Sequence, residues 1–232
     1  MTQVPAQPVT AWRVQFYAPV ASFRDPLFPG VTRGLPVPPP STVRGLLAAA
    51  TGRPVEPVVL GMAARAEGAG IDTETYHPIA ADGTNPSIGG RVRAGKGGMT
   101  IRDRPFLVGI HLTLWLPDPD GSRLQKALRR PRWPLRLGRS QDIVHLTEIS
   151  RVTLEPAETA VIDHALAPAD GHRVALAHVY RMATTVSVDR LTTTWQDYLW
   201  CDEPTGAHPV HDAYRDTTYP EKDNQAVWLL TP

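Results

Sequence analysis

The stretch LPVPPPSTVRGLLAAATG, residues 35–52, decides how the first half of the chain folds. Its prolines fix φ and remove backbone donors, so they predict an extended, polyproline-like lead-in. A helix is expected from Ser41, whose hydroxyl can cap the first backbone amides, and Gly52 ends it. The core-facing stripe, at helical spacing, consists of Val43, Leu46, Leu47 and Ala50.

Arg44 is the unusual residue of this predicted helix. A cation in the first turn opposes the helix dipole, which favours an acid there. With free backbone amides and the Ser41 hydroxyl beside it, the guanidinium would suit a bound anion such as a phosphate. The alternative is that Arg44 simply points into solvent at a small cost. This stretch alone leaves both interpretations open.

Composition indicates a globular chain that can build a real core. The chain has 232 residues, of which 42% are hydrophobic, and it contains no apolar run of membrane-spanning length and no recognisable signal peptide. Cys201 is the only cysteine, which excludes an internal disulfide and a cysteine-rich metal site. We therefore expect a cytoplasmic protein without membrane contact, cofactor or metal.

Working outward from the helix, periodicity predicts alternating element types. Trp12, Val14 and Phe16 alternate with polar residues, which is typical of a half-buried strand. The other predicted elements are a poorly formed helix at 57–68, a central strand at 104–116, a helix at 118–131 and a strand or strand pair at 142–156.

This order of elements predicts an α+β fold. Strand, helix, strand, helix and strand within residues 1–155 fit a ferredoxin-like βαββαβ plan. The polar, glycine-rich excursion at residues 74–104 is then a long insertion, and long loops are usually functional or disordered. Residues 156–232 are expected to form a small, irregular, β-rich C-terminal region.

Basic residues are concentrated in the first two-thirds of the chain. Residues 1–154 hold 19 Lys and Arg against 11 Asp and Glu, whereas residues 155–232 hold 5 against 12. Between Arg123 and Arg139 there are seven basic residues and no acid, with Trp133 among them as a possible stacking face for a base. This asymmetry favours a basic face for a polyanion.

Two motifs that suggest other chemistry are incomplete. Residues 90–97, GRVRAGKG, nearly form a P-loop, but Gly97 stands where Ser or Thr must hold Mg²⁺. His208 and His211 in HPVHD have ligand-like spacing, but Pro209 disturbs a helical presentation and no further ligand pattern accompanies them. We therefore predict neither an NTPase nor a metal centre.

Three segments resemble a known protein family. VQFYAPVASFRDPLF, PVPPPSTVRGLLAAATG and PLRLGRSQDIVHL are similar, in order and spacing, to segments of the Cas-five family of CRISPR-associated proteins, in the RAMP superfamily. The resemblance covers roughly the first two-thirds of the chain and is loose beyond it.

The resemblance implies a modified ferredoxin-like or RRM fold with a β-hairpin thumb near residues 74–104. It implies a non-catalytic, RNA-binding subunit of Cascade, a ribonucleoprotein complex of type I antiviral defence, in a system of I-B-like subtype. The expected partners are the 5′ handle of the crRNA, the backbone RAMP subunits, the large subunit and, through the complex, target DNA. The RNA-binding residues expected from this resemblance and from the basic pattern are Arg24, Ser41, Thr42, Arg44, Arg91, Arg93, Lys96, Arg102, Arg104, Arg132, Trp133, Arg136, Arg139 and Ser140.

Two alternative functions stay open at this point. One branch of the family cuts precursor crRNA without a metal. The candidate general acids or bases for such cleavage are Tyr76 with His77, or His145. No complete catalytic set can be assembled from the sequence, so a non-catalytic subunit is the prediction. A β-rich small-molecule binder is the second alternative, but it leaves the basic run from Arg123 to Arg139 unexplained.

Overall fold

A computed structural model of the chain describes residues 7–25, 27–28, 33–76, 79–80, 91–92, 100–203, 205–219 and 224–232. Within them the fold is α+β, with a large antiparallel sheet carrying two helices. The elements in chain order are β1 (Val9–Ala21), α1 (Pro40–Thr51), β2 (Gly61–Tyr76), β3 (Ile79–Ala80), β4 (Arg91–Val92), β5 (Thr100–Pro117), α2 (Asp120–Arg129), β6 (His145–Val161), β7 (Ala167–Pro168), β8 (Ala177–Val186), β9 (Thr193–Cys201), β10 (Ala207–Asp216) and β11 (Gln225–Val227).

The main sheet has six strands in the order β10-β11-β6-β1-β5-β2. β1 lies between β5 and β6 and is antiparallel to both. Leaving aside the two short strands β3 and β4, the chain runs β1, α1, β2, β5, α2, β6. The predicted strands around residues 9–18, 104–116 and 142–156 and the helix at 118–131 are all present.

The predicted helix at 57–68 is wrong, because most of that segment belongs to β2. β2 pairs with β5 from Gly61, opposite Trp115, to Tyr76, opposite Thr100. A Cβ on Gly61 would lie 2.5 Å from Val227 Cγ1, so only glycine allows this close approach of β2 to β11. Gly61 is therefore a condition for packing the edge strand β2 at this position.

The two faces of the main sheet carry two hydrophobic clusters. On the helix-covered face, Val14 and Phe16 of β1 and Leu114 of β5 pack with the buried residues of α1 and α2. On the opposite face a smaller cluster contains Ala11, Trp115, Val152, Leu154 and Val227. Side chains of a strand alternate between faces, so the odd and even positions of β1 serve different clusters.

The C-terminal part is β-rich, as expected, and it continues the same core. β7, β9 and β8 form a three-stranded sheet whose Met182 and Tyr198 join the main hydrophobic cluster. β10 and β11 both pair with β6. The boundary drawn at residue 155 falls inside β6, which runs unbroken to Val161.

The start of α1 differs from the sequence prediction. Pro39, in an extended conformation, is the N-cap, and no side chain caps the helix, so the assignment of Ser41 as N-cap is wrong. The Pro39 carbonyl accepts from the amides of Thr42 (2.9 Å) and Val43 (3.2 Å). Proline at the first helical position needs no amide partner, which lets the helix begin one residue earlier than expected. Gly52 ends α1 with φ +77°, as predicted.

Arg44 neither faces solvent nor is available to a phosphate, so both interpretations from the sequence are wrong. The residue is 4% exposed. Its Nε donates to the carbonyl of Val58 (3.0 Å), and its two terminal nitrogens donate to the carbonyls of Thr184 (2.8 Å) and Leu230 (3.0 Å). Burial lowers its pKa, while Tyr198 acts in the opposite direction. Arg44 therefore joins α1 to β8 and to the C-terminal segment.

A second buried cation lies on the other face of the sheet. Arg13 donates to the Asp216 carboxylate (2.9 Å), which also accepts from the indole of Trp115 (2.8 Å) and the amide of Thr218 (2.9 Å). Burial alone would raise the pKa of Asp216, but the hydrogen bonds from Trp115, Thr218 and Arg13 outweigh it and lower the pKa. This network ties β1 and β5 to the end of β10.

Replacing Arg44 by alanine is expected to destabilise the fold, because the carbonyls of Val58 and Thr184 lose the guanidinium donor and that of Leu230 keeps only the amide of Leu60. Each unsatisfied buried group costs about 1–3 kcal/mol, so the free energy of unfolding should fall by about 3 kcal/mol or more. Arg44→Lys should recover only part of the loss, since an ammonium group cannot reproduce the planar fork. Urea unfolding measures the change, with the exposed Arg173→Ala as the matched control. A change equal to that of the control would contradict the structural role of Arg44.

The Asp216 carboxylate predicts an acid-sensitive fold. Because its pKa is lowered in the folded state, its contribution to stability is present above the unfolded pKa of about 4 and is lost as the pH falls below that value. Asp216→Asn should be less stable at neutral pH by about 3 kcal/mol. It should, however, lose stability less steeply than the native chain on acidification. Urea unfolding across this pH range tests the difference, with the exposed Asp202→Asn as control, and parallel pH profiles would contradict it.

Candidate nucleic-acid interface

A basic cleft of about 440 Å³ lies where β1 ends and α1 begins. Pro39 and Thr42 contribute the helix side, and Glu74 and Asp103 are its two acidic lining residues. Its arginines come from the segment after β1, from β5, and from the loop between α2 and β6. They are Arg24, Arg33, Arg102, Arg104 and Arg139.

The Asp142 carboxylate holds the loop between α2 and β6 against the end of β1. It accepts from the amide of Ser22 (3.1 Å), from the amide of Arg139 (2.9 Å) and from Arg139 Nε (3.1 Å). Gly138 has φ +104°, and a Cβ there would lie 2.8 Å from the Ser22 carbonyl oxygen. The loop can therefore reach this position only with glycine before Arg139.

Three further contacts close the other wall of the cleft. The Ser22 hydroxyl donates to the carbonyl of Pro105 (2.7 Å), which brings the end of β1 to β5. The amide of Leu35 donates to the carbonyl of Phe23 (2.7 Å), so the chain doubles back before α1. A Cβ on Gly34 would lie 3.3 Å from Pro105 Cβ, which shows how closely these segments approach.

β5 carries two arginines to the cleft from the long β2–β5 hairpin. Arg104 is partly exposed and forms an ion pair with Glu74 of β2. Arg102 is exposed and lies opposite Glu74 in the register of the strands. The arginines of this wall are thus placed by strand pairing and not by a loop.

The structure brings five of the residues predicted to bind RNA to this cleft: Arg24, Thr42, Arg102, Arg104 and Arg139. Ser41 and the buried Arg44 instead line a separate groove between α1 and the β8–β9 hairpin. Ser140 is exposed on the loop beside Arg139, where its hydroxyl bonds Gln141 (3.4 Å).

Part of the predicted thumb lies outside the described residues. The backbone of Arg91 pairs with that of Ala80 in the short β3–β4 ladder. Arg93 and Lys96 are outside the described part of the chain.

Arg132, Trp133 and Arg136 lie away from the cleft lining. The amides of Arg132 and Trp133 donate to the carbonyls of Ala50 (2.9 Å) and Ala49 (3.1 Å), at the C-terminal end of α1. All three side chains are exposed. They therefore form a second basic surface next to the opposite end of the helix.

Sequence reasoning missed one arginine of the cleft and one residue that supports the cleft. Arg33 lies in the segment between β1 and α1, where no pattern in the sequence singles it out. Asp142 is buried at 3% exposure and holds the Arg139 loop in place. The available signal for Asp142 was its position as the first acid after the basic run that starts at Arg123.

One member of the basic run stabilises the fold instead of facing a ligand. The guanidinium of Arg123 binds both carboxylate oxygens of Glu56 (2.9 and 2.8 Å) and also Asp120 (2.8 Å). The hydrogen bonds that Arg123 donates to Glu56 and Asp120 raise its pKa. Since Glu56 is buried, this pair joins α2 to the segment after α1.

His208 and His211, the pair considered for metal binding, line one pocket with His172 in the described part of the chain. There, no group of three or more His, Cys, Asp or Glu residues is placed to hold a metal ion. His145 is exposed at the start of β6, and His77 falls outside the described residues. The described residues also contain no helix long and apolar enough to cross a membrane.

The fold is similar to solved structures of CRISPR proteins. A chain of a "CRISPR RNA-guided surveillance complex" superposes with a TM-score of 0.56 at 17% sequence identity, covering 86% of this chain and 91% of that chain. A CRISPR protein from Archaeoglobus fulgidus superposes with a TM-score of 0.50 at 12% identity, covering 97% of this chain and 100% of that chain. At these identities the similarity establishes the fold.

The sequence identifies the family. No curated protein sequence is significantly similar to the chain. The family model described as "CRISPR-associated protein (Cas_Cas5)" matches residues 13–216, which include most of β1, both helices and the cleft. The chain therefore belongs to the CRISPR-associated Cas5 family.

Proposed function

We propose that the chain is a Cascade subunit that holds the 5′ handle of the crRNA in the basic cleft and caps one end of the interference complex. The observation that carries this proposal is the convergence of five arginines from three parts of the chain on one cleft. Membership of the Cas5 family and the structural similarity to a chain of a CRISPR RNA-guided surveillance complex support it.

The chemistry of the cleft suits a phosphate backbone. Arginine presents a planar fork of donors that matches phosphate oxygens and stays charged at all physiological pH values. Arg139 is held by Asp142, so its loop is preorganised before RNA binds. The Thr42 hydroxyl on the helix side is a hydrogen-bonding group within reach of the same cleft. Single-stranded RNA with its backbone along the arginines is therefore the ligand we assign.

We also propose that the core is a ferredoxin-like RAMP domain and that the far part of the β2–β5 hairpin is its thumb. The order β1, α1, β2, β5, α2, β6 and the sheet neighbours β6-β1-β5-β2 support this assignment. In this proposal the thumb contacts the backbone RAMP subunits. The large subunit and, through the complex, target DNA are the remaining partners in the proposal.

We propose that the subunit does not cut RNA. The described part of the chain places two histidines, His111 and His145, opposite Tyr17 in the sheet. His111 is bound to Glu67 (2.7 Å), and neither histidine lines the basic cleft where a general acid or base would have to act. The arginines can stabilise charge on a phosphate, but they do not exchange protons at neutral pH. The alternative is a metal-independent endoribonuclease that processes precursor crRNA.

Removing cleft arginines should weaken RNA binding without unfolding the protein. Arg24→Ala and Arg102→Ala each remove an exposed cation, so we expect about tenfold weaker binding of handle RNA and a salt dependence reduced by about 0.7 per lost phosphate contact. Arg173→Ala is the control. Filter binding at several salt concentrations measures the affinities, and a thermal melt confirms the fold. Affinities equal to that of the control would place the handle elsewhere.

The purified protein should leave its own repeat RNA intact, with or without EDTA. A metallonuclease would be stopped by EDTA, whereas attack by the RNA 2′-hydroxyl would continue and leave a 2′,3′-cyclic phosphate. Gel analysis of labelled RNA distinguishes these outcomes. Site-specific, EDTA-resistant cutting that disappears in His77→Ala or His145→Ala would establish the endoribonuclease alternative instead.

A further inference from the structure

The segment RRPRWP, residues 129–134, is exposed along its whole length and yet is held by backbone hydrogen bonds. The amides of Arg132 and Trp133 cap the last carbonyls of α1, and the amide of Arg130 donates to Ala127 of α2 (3.2 Å). Pro131 and Pro134, whose rings fix their own φ angles, flank Arg132 and Trp133. The conformational entropy of this segment has thus already been lost on folding, so a ligand binds to a preorganised surface.

Trp133 presents its ring at this surface. Its exposure is 58%, and the Arg132 guanidinium carbon lies 5.7 Å from the ring centroid. The stem of Arg132 passes over Gly52, where an added Cβ would lie 2.7 Å from Arg132 Cγ. The end of α1 therefore determines the position of the stacked pair, which we call the Trp133 platform.

The charge around the Trp133 platform is unopposed. No described carboxylate forms an ion pair with any of its basic neighbours, whereas Arg123 and Arg139, at the two ends of the basic run, are bound to acids. Repulsion among these neighbouring cations destabilises the fold unless an anionic partner binds. The exposed basic residues are Lys126, Arg129, Arg130, Arg132 and Arg136.

We propose that the Trp133 platform binds an unpaired base of single-stranded nucleic acid, with Arg129, Arg130 and Arg136 contacting the flanking phosphates. A planar ring beside guanidinium groups matches the two chemical features of a single strand, a base face and a phosphate chain. An acidic protein surface would match the charge but would not require the exposed ring.

This contact is separate from the handle cleft. Thr42, in the first turn of α1, lines the cleft, whereas the platform is attached to the last carbonyls of the same helix. α1 has 12 residues and spans about 18 Å, so the two sites are several nucleotides apart. The platform therefore binds either a further part of the crRNA or a single DNA strand of the target. Both present unpaired bases and a phosphate backbone.

The test compares Trp133→Leu with Trp133→Phe in binding to four probes. These are oligouridine, oligodeoxythymidine of the same length, fully paired duplex RNA, and heparin as an anion without bases. Trp133→Leu should bind both single strands about 5- to 100-fold more weakly, with duplex and heparin affinities unchanged, and Trp133→Phe should retain most of the affinity. A stronger loss for RNA than for DNA would identify the crRNA as the strand, and the reverse would identify the target.

Fluorescence gives an independent readout. Binding of oligouridine should quench part of the tryptophan emission of the native chain, and Trp133→Phe should lack that part. Unchanged single-strand affinity in Trp133→Leu, or an equal loss for heparin, would overturn the proposal. So would normal single-strand binding combined with lost assembly with other subunits, which would make the platform a protein-docking site.

The proposals for the Trp133 platform and for the cleft can be refuted separately. Arg102→Ala tests the cleft, and Trp133→Leu tests the platform, each against a thermal melt of the same sample. Weak binding by Trp133→Leu with normal binding by Arg102→Ala would refute the handle cleft and keep the platform. The opposite pattern would refute the platform alone.

Discussion

Three carbonyl groups from distant parts of the chain converge on the guanidinium of Arg44, and the placement of α1 depends on them. Val58, Thr184 and Leu230 belong to the segment before β2, to β8 and to the C-terminal segment. Buried carbonyls need donors, so this side chain stabilises the docking of the C-terminal sheet on α1. Once α1 is fixed, its first turn forms one wall of the cleft and its last carbonyls hold the Trp133 platform.

Two sets of arginines in this chain differ in their partners. Arg13, Arg123 and Arg139 are bound to carboxylates and hold strands, helices or loops together. Those at the Trp133 platform have no described carboxylate partner, and their charge faces solvent. A strongly basic segment can thus stabilise a fold and still present a surface for a polyanion.

Much of the architecture could be predicted because it follows from local patterns. The apolar stripe of α1, the alternation in β1 and the apolar run of β5 each specify an element within a short window of sequence. The family resemblance, carried by three segments, is confirmed by the match over residues 13–216. Three of the predicted RNA-binding residues at the cleft, Arg24, Thr42 and Arg139, lie on those three segments, whereas Arg102 and Arg104 reach the cleft through β5.

The sequence-based predictions that are wrong concern residues whose contact partners are far apart in the sequence. Thr184 and Leu230 lie 140 and 186 residues from Arg44, so no local pattern could show that the guanidinium is buried. The helix predicted at 57–68 is wrong because this segment becomes a strand through pairing with β5 and the approach of Val227 to Gly61, which only the folded chain supplies. The role of Asp142 likewise depends on Ser22, 120 residues earlier.

The central claim, that the cleft holds the 5′ handle, is tested most directly by crosslinking. RNA that copurifies with the assembled complex would be crosslinked by ultraviolet light, and the modified peptides and nucleotides identified together. The account predicts one RNA species with a fixed 5′ end, whose handle nucleotides are attached to peptides around Phe23, Pro105 and Gly138. Handle crosslinks confined to the C-terminal sheet, or RNA with random 5′ ends, would contradict it.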